Sequence, residues 1–231
     1  MITMHRHLLS FVAALVCSPL GFSTILASGS ETIWETLSPA QQSELMQGKT
    51  VETEQEVTEG VWPRFTVYKL VKATPKSVAA VFWDCERAPE YVPNCTSVKL
   101  LSHPEPAVTE AEYTISMPFL LPEEVYISRN RLEKPTPGIL EVSWTLLKSR
   151  YSHSSVGSLR VEEHDGLTLM RYRNLVVPAS RFAGILRASA GKEVVESVRS
   201  LGARVEKELE SSPSILKAQE EKLDRDLQGA H

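Results

Sequence analysis

Asp84 and Glu86 flank Cys85, and two carboxylates this close can divide general acid and general base work between them. A pair of this kind more often caps a helix end and solvates the following loop. Histidine adds little. Of six histidines, His5 and His7 lie near the start, His103, His153 and His164 in predicted turns or strand ends, and His231 is the last residue. No two have metal-ligand spacing and no cysteine accompanies one, so no metal site is expected. A glycine-rich phosphate loop and a Gly-x-Ser-x-Gly elbow are also missing. The sequence therefore assigns no catalytic residue and no cofactor.

Aromatic residues and arginines say more. Tyr113, Ile115 and Met117 alternate along one predicted strand, and Leu140, Val142, Trp144 and Leu146 along another, so each set shares a face. Trp83, Tyr91, Tyr113, Met117, Phe119, Trp144 and Tyr151 are candidates to line an apolar cavity, with indole and phenol groups as its polar contacts. The alternative is that they fill a core. Arg129 with Arg131, and Arg171 with Arg173, project in pairs from one face of a strand. Outward is the commoner placement. An inward arginine would need a carboxylate or an anionic ligand group, which makes Arg129 and Arg171 binding candidates. In the loop 118–124, Phe119, Leu120 and Leu121 stand between two prolines, a pattern suited to closing a pocket, to transient membrane contact or to simple packing.

Cys85 and Cys95 are separated by ten positions, and their reading depends on the compartment. The chain begins with a short basic stretch, an apolar run and the small residues Ala27, Ser28 and Gly29, the pattern of a secretory signal peptide. Cleavage is expected near Gly29, which makes the protein exported, periplasmic or secreted. In an oxidising compartment the two thiols could pair, and so short a loop would add about 2–3 kcal/mol; two buried free thiols are the other reading. With 231 residues, 42% hydrophobic, 23% charged and a net charge of −4, the composition is that of an ordinary globular protein and offers no attraction for nucleic acid.

The elements that would position these side chains follow from periodicity. From Ser180 to Leu209, apolar residues at Phe182, Ile185, Leu186, Val194, Val198, Leu201, Val205 and Leu209 recur at steps of three and four, with multiples of them, and predict a long amphipathic helix. Phe182, Ile185, Leu186 and neighbouring Ser189 would form the far wall of the cavity. Ser38 and Pro39 open a short helix; Thr74 and Pro75 open another, followed by a helical piece over 86–91. A hairpin is predicted over 50–73, and further strands near 96–103, 109–117, 124–133, 139–148, 155–164 and 167–176. Asp165-Gly166 is the strongest turn signal. Residues 211–231 carry Ile215, Leu216, Leu223 and Leu227, too sparse to demand burial, and read as a flexible or helical tail.

The segment 73–101, ATPKSVAAVFWDCERAPEYVPNCTSVKLL, resembles the opening of START-like domains, the SRPBCC or polyketide cyclase superfamily. Pro75, Val81, Trp83, Asp84, Pro89, Glu90, Tyr91 and Pro93 carry the likeness. MPFLLPEEVYISRNR (117–131) is similar to the family's strand–loop–strand, and the late helix to its last element. The resemblance spans roughly 50–210. It implies an α+β helix-grip fold, a curved antiparallel sheet wrapped around a long C-terminal helix with an apolar cavity between them. Members carry lipids, sterols, polyketides or other hydrophobic ligands, and a minority catalyse reactions there.

Together these readings give a signal peptide (1–29), a helical extension (30–49), a START-like domain (50–210) and a tail (211–231). The expected function is non-catalytic binding of a hydrophobic small molecule, a lipid above all. Two alternatives stay open: a cyclase-, aromatase- or hydrolase-like enzyme using Asp84, Glu86, Tyr113 or an inward arginine, and an interaction module whose core is filled.

Overall fold

Alternating residues and turns able to take positive φ build most of the structure. The computed structural model describes residues 32–57, 62–117, 121–179 and 183–229, excepting the side chains of 183–186, 188 and 189. Eight strands form one antiparallel sheet: β1 (Val51–Gln55), β2 (Arg64–Val71), β3 (Cys95–Glu105), β4 (Val108–Ile115), β5 (Glu124–Thr136), β6 (Ile139–Lys148), β7 (Ser152–His164) and β8 (Leu167–Pro178). Their order is β1-β2-β8-β7-β6-β5-β4-β3, so the sheet is curved and β1 and β3 are its edges. Asp165 and Gly166 have φ of +49° and +77°, two left-handed residues that turn β7 tightly into β8. The strand predicted near 96–103 runs on to Glu105 through Pro104. An edge strand tolerates proline because one side of its ladder is unpaired.

The predicted caps are in place. Ser38 and Gln41 form a capping box at α1 (Pro39–Met46), and Thr74 accepts from Ser77 N at α2 (Pro75–Trp83). A 3-10 turn, Cys85–Glu90, follows α2. The long helix α3 (Ala183–Ser211) lies on the inner face of the sheet, where Val198, Leu201 and Val205 are buried. Its residue Gly202 lets it approach β2 closely: a Cβ there would meet Val71 at 3.1 Å and Lys69 at 3.2 Å. On the outer face, Ile33, Leu37 and Leu45 of the N-terminal extension bury Tyr68, Leu70 and Leu169. Glu162 accepts from Ile33 N at 2.5 Å, and Trp34 stacks on His164 at 3.7 Å.

Of the two readings of the last segment, flexible or helical, the structure shows the helix, and it corrects the expectation that the leucines there are too sparse to demand burial. Pro213–Gln228 is an ordered helix, α4, and Leu216 and Leu223 are buried against the core that α2 and α3 share. Sparse leucines suffice because polar bonds to α2 supplement them. Trp83 Nε1 donates to Asp226 (2.7 Å), Ser77 Oγ to Glu220 (2.6 Å), and Lys76 pairs with Asp224 (2.6 Å). Only side chains from two helices in register could do this, and no residue period announces it.

Candidate functional site

Between the sheet and the first half of α3 lies a cavity of about 340 Å³. Inward-facing positions build its walls: Tyr113 from β4, Tyr126, Ser128 and Asn130 from β5, Trp144 and Leu146 from β6, Ser155 from β7, and Tyr172 and Asn174 from β8. Ala190, Glu193 and Ser197 from α3 close it, with Phe82, Trp83 and Tyr91 from α2 and the segment after it. Aromatic contact sets the shape. Tyr113 stacks on Tyr126 with centroids 4.9 Å apart and planes 5° from parallel, and Trp144 lies 4.9 Å from Tyr172 and 6.0 Å from Phe82. Gly157 pairs with Trp144 across β6 and β7. A Cβ at that position would collide with the indole and with Arg173 O, so glycine makes room for the ring.

Several polar groups of the walls bond to one another or to backbone carbonyls. Ser128 Oγ donates to Asn130 Oδ1 (3.1 Å), and Asn130 Nδ2 reaches Tyr113 Oη and Thr109 Oγ1, both at 3.4 Å. Ser155 Oγ donates to Asn174 Oδ1 (3.2 Å), and Tyr151 Oη to Pro122 O (3.0 Å). Burial pushes the Tyr91, Tyr113, Tyr126 and Tyr172 hydroxyls well above their ordinary pKa, so they stay protonated donors at neutral pH. Two carboxylates also line the cavity. Glu124 is buried and accepts from Arg150 N at 3.0 Å; Glu193, its pKa raised by burial, accepts from Asn94 Nδ2 at 3.4 Å.

Of the sequence candidates, Trp83, Tyr91, Tyr113, Met117, Trp144 and Tyr151 come together in this cavity. Phe119 and Phe182, and the side chains of Ile185, Leu186 and Ser189, lie outside the described residues. Arg129 and Arg171 do not reach it. Arg129 is exposed and pairs with Glu110 at 2.6 Å on the outer face, and Arg131 pairs there with Glu105. Arg171 also faces outward, where burial and the neighbouring Arg173 and Arg160 lower its pKa. The reason is parity: the inward residues of β5 and β8 are the even-numbered ones. The Cys85–Cys95 bond is likewise corrected, for both thiols are free and buried. Cys85 lines the cavity, while Cys95 Sγ turns to Ser97 O at 3.8 Å; burial pushes the Cys95 thiol up to about 11. Asp84 lies away from the cavity, held by Gln219 (3.0 Å) and Lys222 (3.2 Å) of α4, and Glu86 is exposed.

Sequence reasoning missed Phe82, Tyr126, Tyr172, Asn130, Asn174 and the two glutamates as lining residues. Tyr126, Ser128 and Asn130, like Tyr172, Asn174 and Val176, stand at alternate positions beside the arginines that were singled out. The same alternation could have found them.

The chain matches the family model described as polyketide cyclase / dehydrase and lipid transport over residues 71–199. No curated protein matches it. Among solved structures, human STARD10 superposes with a TM-score of 0.60 at 11% identity, covering 85% of this chain and 88% of that one. The STAR-related lipid transfer protein (fragment 25-204) of Xanthomonas axonopodis gives 0.58 at 13%, covering 67% and 98%. The Zhui aromatase/cyclase of Streptomyces sp. R1128 gives 0.56 at 13%, covering 64% and 96%. At these identities the likeness shows the fold, which is the helix-grip fold.

Proposed function

The chain belongs to the polyketide cyclase / dehydrase and lipid transport family, and from that premise we propose that it is an exported, non-catalytic carrier of a hydrophobic small molecule, a lipid above all. The observation that carries this reading is the cavity of about 340 Å³ walled by Phe82, Tyr113, Tyr126, Trp144 and Tyr172. A space of this size leaves interior side chains without partners, which costs stability, and a ligand restores those contacts. Its volume falls at the lower end of small-molecule sites. The relatives named for lipid transfer share the fold.

An enzyme of the cyclase kind would need a poised acid or base deep in the cavity. The carboxylate with the raised pKa, Glu193, also faces outward beside Pro93, at the rim. The apolar loop 118–124 would touch a membrane during uptake and release. Export rests on the N-terminal pattern, with cleavage near Gly29. Mass spectrometry of organic extracts from protein purified from its native compartment should reveal a co-purifying lipid, and the intact mass should correspond to a chain starting near residue 30. An extract free of any hydrophobic compound would count against the carrier, and a full-length mass against export.

A further inference from the structure

The polar groups of the cavity are not equally satisfied, and the difference bears on the ligand's head group. Ser128, Asn130, Tyr113, Tyr151, Ser155, Asn174 and Ser197 of the walls bond to one another or to backbone carbonyls. Glu124 is different. Only 7% of the residue is exposed, Oε1 takes Arg150 N, and Oε2 is buried with no partner among the described residues. Among the described residues Glu193 has just the 3.4 Å bond from Asn94.

Both carboxylates belong to one end of the cavity. Asn94, the partner of Glu193, accepts from Ser116 N at 2.8 Å, and the adjacent Ile115 is paired in register with Glu124. Among the described residues no lysine, arginine or histidine lines the space. The guanidinium of Arg150, whose backbone N–H meets Glu124, is on an exposed residue and donates to Glu123 O at 3.5 Å. A buried carboxylate oxygen without a donor is costly, and two acidic groups at one end repel an anionic head group while attracting a cation. The aromatic faces of Tyr126, Trp144 and Tyr172 favour a cation as well.

Resting on the carrier reading above, we infer that the cavity takes a hydrophobic molecule bearing a protonated amine, whose N–H groups meet Glu124 and Glu193. Burial raises the Glu193 pKa, and a bound ammonium would offset the desolvation that causes it.

Three probes with the same chain, dodecylamine, 1-dodecanol and dodecanoic acid, separate the possibilities. Each is titrated at pH 7 below its self-association limit into the full chain, using the fluorescence of Trp62, Trp83 and Trp144, all of which line the cavity. The amine should bind at least about tenfold tighter than the acid, a difference of about 1.4 kcal/mol, and tighter than the alcohol. Glu124→Gln and Glu193→Gln should each reduce that ratio, with circular dichroism checking the fold; Glu193, at the rim, keeps the test available should Glu124→Gln unfold. The blocked variant Ser197→Phe should show no preference, which excludes attraction to the acidic surface. Equal or tighter binding of the acid or the alcohol would overturn the amine assignment and leave the carrier intact. So would any preference in the Ser197→Phe protein, or an undiminished one in the Glu193→Gln protein. Binding of none of the three would remove the carrier reading itself.

Discussion

Toward its C-terminal end α3 presents Val205 and Glu208, both almost fully buried, to the part of the molecule it shares with α2 and α4. Nearer its N-terminus the same helix presents Ala190, Glu193, Ser197, Val198 and Leu201 to a cavity. Each end holds a glutamate, Glu208 buried and Glu193 half-buried, and they treat it differently. Glu208 meets Arg204 at 2.6 Å and Arg87 at 3.0 Å, and Glu90 completes the network by bonding both arginines. Glu193 has one long bond from an asparagine amide. The closed end matches its charges and interlocks its side chains, although Glu208 Oε2 and Gln219 Oε1 there have no hydrogen-bond partner among the described residues. At the open end the acidic charge has no cationic partner among those residues and packing leaves a space, and a ligand would complete both.

The largest effect that separates the ends should come from their glutamates. Glu208→Ala removes the buried one of the two carboxylates that Arg87 and Arg204 share, leaving the more exposed Glu90, and should cost about 3 kcal/mol in urea unfolding. Glu193→Ala should stay within about 0.5 kcal/mol of the parent. Equal losses would erase the distinction. Next in size is Leu223→Ala, which opens a void where α4 meets the core and should cost about 2–3 kcal/mol. A negligible loss would return residues 213–228 to the status of a tail.

Most of the fold was legible because sheet and helix periods are local properties of the chain. Residues 180–209, with apolar steps of three and four, could only be a long one-sided helix, and Asp165-Gly166 could hardly be anything but a turn. The site was legible in part. Trp144 and Tyr113 followed from alternation, but Arg129 and Arg171 were chosen for their chemistry, although they stand one residue out of phase with Ser128 and Tyr172. A shift of one position reverses the face of the sheet. The role of α4 depends on side chains meeting across the fold, through Trp83–Asp226, and no spacing encodes it; nor does the ten-residue spacing of Cys85 and Cys95 say that both thiols stay free.

A smaller effect follows from pH. Burial raises the Glu193 pKa above that of the unfolded chain, so folding favours its protonated form. Its contribution to stability is fully present below the ordinary glutamate value and is lost as pH rises through the raised value. Glu193→Gln should flatten that part of the stability–pH profile and make the protein slightly more stable than the parent at neutral pH. An unchanged profile would mean that the open end solvates its carboxylate as well as water does.

The smallest change in stability, and the largest in function, belongs to Ser197→Phe. The new ring would enter the cavity from α3, where space exists for it. Uptake of a fluorescent fatty amine or sterol, measured beside urea unfolding of the same two proteins, tests the central claim most directly. The account predicts saturable uptake by the parent, none by the variant, and nearly equal stabilities. No uptake by the parent, together with a loss of about 1–3 kcal/mol in the variant from overpacking, would show a filled core and contradict it.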